Sequence, residues 1–110
     1  MPREFLVEFV VHVPDRAPAS EVEARETAEA SAAARLVDQG RLVRLWTRPA
    51  APGETKAIGL YRADSEAQLA RLLDELPLHD WMDVTVTRLE PHPNDPVSQA
   101  SASAAARSRQ

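Results

Sequence analysis

Residues 5–13, FLVEFVVHV, alternate along an extended chain: Phe5, Val7, Phe9, Val11 and Val13 point one way, and Leu6, Glu8, Val10 and His12 the other. The run is rich in Val and Phe and ends at Pro14, so it predicts a β-strand. Its wholly apolar face is expected to meet helices. Its mixed face suits a pocket wall or a second sheet. The period then changes. Ser20 with Glu23 forms a capping-box pair, and Gly40 offers a left-handed stop after Gln39, so a helix is predicted over 20–39. This helix is rich in alanine and can approach a sheet closely. Residues 41–48, RLVRLWTR, alternate again, with Leu42, Arg44, Trp46 and Arg48 on one side and Val43, Leu45 and Thr47 on the other. PAAPGE breaks regular structure, and KAIGLYRA at 56–63 predicts a third strand. Ser65 with Gln68 is a second capping box. Leu69, Leu72, Leu73 and Leu76 give the spacing of an amphipathic helix, which Pro77 stops. VTVTRL at 84–89 predicts the last strand.

The order β-α-β-β-α-β is that of an α+β, ferredoxin-like domain, with a four-stranded antiparallel sheet and two helices on one face. The domain is expected over residues 1–96, followed by a disordered tail rich in Ala and Ser at 97–110. The uncovered sheet face is expected to include His12, Leu42, Trp46 and Tyr61 and to pair with a second copy.

Charge and composition narrow the functions. The net charge is −4 and no basic stripe occurs, which argues against nucleic-acid binding. There is no cysteine, so disulfides, thiolate metal sites and cysteine nucleophiles are excluded. No apolar run approaches the roughly 20 residues that span a bilayer, and no secretion-signal pattern is present. A cytoplasmic location is expected.

Within the first helix, Val22, Glu29, Ala33 and Leu36 fall close to one line. Three are apolar and one is an acid. If Glu29 lies between helix and sheet, desolvation raises its pKa, and a carboxylate tuned towards neutrality can both take and return a proton. The plainer alternative is that Glu29 borders the stripe and reaches water, with Glu26 the rival position. Arg44 and Arg48 alternate with Trp46 and form a candidate clamp for a carboxylate, with surface ion pairing as the alternative. The three histidines, His12, His79 and His92, lack metal-ligand spacing, and no metal site is expected. His79 and Asp80 act as an acid–base pair only if both side chains converge. No nucleotide-binding or serine-hydrolase motif occurs.

The segments F-x-V-x-F-x-V at 5–11, QGRLVRLW at 39–46, IGLYRADSEAQL at 58–69, LPLHDWMDVTV at 76–86 and PHPNDP at 91–96 resemble the muconolactone Δ-isomerase family over almost the whole folded chain. The resemblance implies ferredoxin-like chains that pair through their sheets, with decamers as a further assembly. It implies no metal and no organic cofactor. The implied reaction shifts a double bond within a small unsaturated lactone acid, muconolactone to 3-oxoadipate enol-lactone, in aromatic catabolism. Glu29 falls on the glutamate regarded in that family as the proton-transferring residue. Arg44 or Arg48 is then expected to hold the substrate carboxylate, with His12 as a polar contact and Trp46 and Trp81 as aromatic walls. Three features depart from the family pattern: Thr47 follows Trp46 where many members have Arg, the loop RPAAPGETK is longer, and Phe9 stands where methionine is common. The reaction class is therefore better supported than the substrate. Two alternatives stand beside it. One is a cofactor-independent monooxygenase of the dimeric α+β barrel type; the other is a non-catalytic module that binds a small ligand.

Overall fold

The structure, a computed structural model, describes residues 2–97. The tail expected at 97–110 lies outside the described residues, apart from Val97. The elements are β1 (Arg3–His12), α1 (Ala19–Asp38), β2 (Leu42–Arg48), β3 (Glu54–Ala63), α2 (Glu66–Asp74), a single 3₁₀ turn (His79–Trp81) and β4 (Met82–Leu89). The strands form one antiparallel sheet in the order β2-β3-β1-β4, so the fold is the ferredoxin-like α+β arrangement.

Helix boundaries follow from the capping groups. The α1 helix begins one residue before Ser20: Pro18 is its N-cap, and the Pro18 carbonyl accepts from the Glu21 and Val22 amides. Ser20 is therefore the second residue of the helix rather than its N-cap, and no side chain caps this end. The C-terminus closes as the sequence predicts. Gly40, at φ +73°, directs its own N–H to the Val37 carbonyl, and the Arg41 N–H reaches the Leu36 carbonyl. At α2 the Ser65 hydroxyl accepts from the Gln68 amide at 3.1 Å. The Gln68 side chain reaches past the N-cap to accept from the Asp64 N–H at 2.6 Å.

The core lies between the helices and one sheet face. Phe5 and Val7 of β1 and Leu69 of α2 are fully buried, joined by Phe9, Tyr61, Leu73 and Leu76. Burial of each large side chain contributes about 1.5–3 kcal/mol. β1 presents Phe5, Val7 and Phe9 inward, as its alternation predicts.

Two residues expected on the outer face lie on the helix side instead. Tyr61 is paired opposite Phe5, and directly opposed residues share a face; Leu42 is opposite Tyr61 in turn. The two side chains are almost fully buried. The register slips between Leu42 and Arg44, so Val43 is an extra residue in β2. That bulge puts Leu42 inward and keeps Arg44, Trp46 and Arg48 outward, opposite Leu60, Ile58 and Lys56. Among the described residues, no helix is long and apolar enough to cross a membrane.

Candidate active site

A cavity of about 360 Å³ opens between α1 and the end of the sheet that α2 leaves uncovered. Its floor is Phe9, Val11 and Ala57; its roof is the face of α1 bearing Ala30 and Ala33; Leu78 and Met82 close one side. The alanines explain the space, because a larger side chain at either position would fill it. The lining is mainly apolar. Its polar members are Glu26, Glu29, Thr55 and Tyr61.

Glu29 is half-buried on this wall, and its Oε1 accepts from the Leu78 backbone N–H at 3.1 Å. Burial pushes its pKa above the ordinary value, and the Leu78 hydrogen bond partly opposes that by favouring the anion. The result is a carboxylate with raised proton affinity that is still held in one orientation. Glu26 also lines the cavity but is exposed, and no hydrogen bond orients it among the described residues.

The segment that supplies the Leu78 amide is fixed by a second group one helical turn away. Arg25 donates to the Pro77 carbonyl at 3.2 Å, and its guanidinium lies 4.3 Å from the centre of the Trp81 ring. Glu21 at 3.3 Å and Asp80 at 3.9 Å flank the same guanidinium. Arg25 and Glu29 therefore clasp residues 77–81 from two successive turns of α1.

Tyr61 is the second polar group of the cavity. Its ring packs 6.0 Å from that of Phe9, tilted by 59°. Burial and the neighbouring Glu29 charge push its phenol up to about 12. Gly59 makes room for this ring: a Cβ there would run into Tyr61 Cε1.

The other residues expected at the site are not on the cavity wall. Arg44, Trp46, Arg48 and His12 lie on the opposite face of the sheet. There the Arg44 guanidinium stacks 4.9 Å from the Trp46 ring, and His12 lies 3.6 Å from Glu54 and 3.4 Å from Asp83. Trp81 is near the cavity but is engaged with Arg25. His79 and Asp80 do not converge: His79 Nε2 faces Asp74 at 3.6 Å, while Asp80 faces Arg25. His92 accepts through Nδ1 from the Asn94 amide in the segment after β4. The groups missed by sequence reasoning are Arg25 and the Leu78 amide, together with Tyr61 as a polar group facing Glu29. The pair Gly59-x-Tyr61 on a strand was the available signal, since a glycine on the same face leaves space for an aromatic ring.

The α+β sandwich thus presents a half-buried acid on the wall of an apolar pocket. The family model for muconolactone delta-isomerase matches residues 3–95, and the chain belongs to that family. The crystal structure of a muconolactone isomerase aligns with a TM-score of 0.73 at 27% identity, covering 84% of this chain and 94% of that one. An uncharacterised protein from Thermotoga maritima shares the fold, with a TM-score of 0.55 at 10% identity over 82% of this chain and all of that one (100%). Comparison with curated proteins gave no match.

Proposed function

We propose that this protein is a cofactor-free isomerase that moves a proton and a double bond within a small unsaturated lactone acid, muconolactone or a close relative. The observation that carries this reading is Glu29: a half-buried carboxylate on the wall of an apolar cavity, with raised proton affinity and one oxygen held by the Leu78 amide. Family membership supports the same reaction class.

The chemistry follows from the substrate class. Ionised Glu29 removes the ring hydrogen whose loss gives a dienolate conjugated with the lactone carbonyl. The acid so formed returns that proton to the carbon next to the carbonyl, on the same ring face. The double bond moves, no electrons are gained or lost, and Glu29 ends as it began. A positioned base of this kind contributes typically about 10²–10⁴-fold, and orientation in a fitted cavity adds to it. The lining residues include two carboxylates and no cation, so the substrate's own carboxylate is directed to the mouth. Arg44 and Arg48, on the far side of the sheet, are accordingly left out of this chain's proposed substrate contacts, as are His12 and Trp46. Trp81 acts through Arg25.

The test is a muconolactone assay followed in deuterated water. Turnover is expected, with deuterium or internally returned hydrogen at the migrated position. Glu29→Gln is expected to lose about 10²-fold or more with its fold intact. A well-folded wild type inert towards unsaturated lactones would overturn the reading, as would a Glu29→Gln variant with full activity.

A further inference from the structure

Tyr61 is only 3% exposed, yet among the described residues its hydroxyl has no hydrogen-bond partner. Buried tyrosine hydroxyls ordinarily find one. The hydroxyl is not sealed in the core either, because the only buried side-chain polar atom without a partner among the described residues is Nδ1 of His79. The accessible space beside Tyr61 is the cavity that it lines together with Glu29. Its direction is fixed by packing. The ring lies back along β3 over Gly59 and leans on Phe9, so the phenol is carried to the cavity on a strand rather than on a loop.

We propose that Tyr61 is a second catalytic residue of this site, its hydroxyl donating a hydrogen bond to the substrate's carbonyl oxygen as negative charge builds there. This role rests on the isomerase reading given above. The division of labour is simple: Glu29 carries the proton between carbons, and Tyr61 stabilises the oxygen of the intermediate without giving up its own proton. Burial and the Glu29 charge both keep the phenol protonated, so it remains a donor across the neutral range. When Glu29 takes the substrate proton, the charge beside Tyr61 moves from the carboxylate onto the dienolate. The phenol, unattached in the resting site, then has an anionic acceptor. A donor placed where charge develops is most effective in an enclosed, apolar cavity.

Tyr61→Phe keeps the ring and removes only the hydroxyl. Since that hydroxyl makes no protein hydrogen bond, the melting temperature is expected to be unchanged or slightly raised. Turnover should fall about 10²–10³-fold, the usual loss for one such donor, with little change in KM. A second reading uses tetronate, the anion of a five-membered enolic lactone, as a mimic of the intermediate. Tetronate should bind Glu29→Gln, which resembles the proton-loaded enzyme, at least about tenfold more tightly than it binds Glu29→Gln/Tyr61→Phe, as expected for a hydrogen bond to a charged acceptor. If Tyr61→Phe retains wild-type turnover while Glu29→Gln is inactive, the role of Tyr61 is overturned and the isomerase reading stands. Equal tetronate affinity in the two Glu29→Gln backgrounds overturns it too. If the wild type neither converts lactones nor exchanges their hydrogens with solvent, the isomerase reading fails, and Tyr61's role fails with it.

Discussion

Glu29 is poised between two requirements that oppose each other. Desolvation makes the carboxylate a better base, and the same desolvation costs folding free energy whenever the group is charged. Its folded pKa is raised, so between the unfolded value and the folded value the native state binds more protons than the unfolded chain. Stability from this group is therefore fully present at acidic pH and is lost as pH rises through the folded pKa. Thermal melts of wild type and Glu29→Gln across pH should expose this. The variant gains relative stability above the folded pKa of Glu29, and the gain disappears below the ordinary carboxylic value; a constant difference at all pH values would contradict it. Activity has the opposite sign, because the resting base must be ionised: kcat/KM should rise with pH through an inflection above the ordinary glutamate range. Tyr61, pushed up to about 12, should impose no falling limb near neutrality. The wheel of α1 made Glu29 legible, since an acid amid Val22, Ala33 and Leu36 is conspicuous. It left the role of the Leu78 amide unseen, because that donor is 49 residues away in the chain.

Among the elements, β3 decides most. Both of its faces carry apolar residues, Ile58 and Leu60 outward and Ala57 and Tyr61 inward, so alternation alone gave no direction. Pairing to β1 supplied it: Tyr61 lies opposite Phe5, whose face was never in doubt. Gly59 then sets the ring. Gly59→Ala should destabilise the fold by about 1–3 kcal/mol through overpacking, measured by denaturant unfolding. The cost should shrink when Tyr61→Ala removes the ring that the new methyl would strike; equal costs in both backgrounds would show that the collision is unimportant. In β2 the bulge at Val43 separates Leu42 from Arg44, and strict alternation could not anticipate it. The α1 and α2 ends were more transparent. Gly40 and Ser65 act within a few residues of themselves, whereas Ser20 was displaced as a cap by Pro18, two residues upstream.

At the scale of the molecule, the sheet face away from the helices carries Trp46, Ile58, Leu60, Leu6 and Val10 amid separated charges. Its β2–β3 half bears Arg44, Arg48, Lys56 and Arg62 beside Glu54, and its β1–β4 half bears Glu4, Glu8 and Asp83. A two-fold axis lying in the interface plane and parallel to the strands would lay the basic half of one copy over the acidic half of the other. We therefore expect a homodimer paired through this surface. Sedimentation should give at least twice the chain's 12.1 kDa, and Trp46→Glu should lower the mass towards the monomer while helix content is kept. A monomeric wild type would sink this assignment. By itself, the sequence determined the element order, the buried face of β1, the helix stops and the suspect acid, because each depends on periodicity or on chemistry within a few residues. Only the tertiary structure decided that Leu42 and Tyr61 turn to the helix side, that the cavity lies on that side and away from Arg44, Trp46 and Arg48, and which backbone amide holds Glu29. Those outcomes depend on strand register, one bulged residue and contacts between distant segments, and no local pattern encodes them.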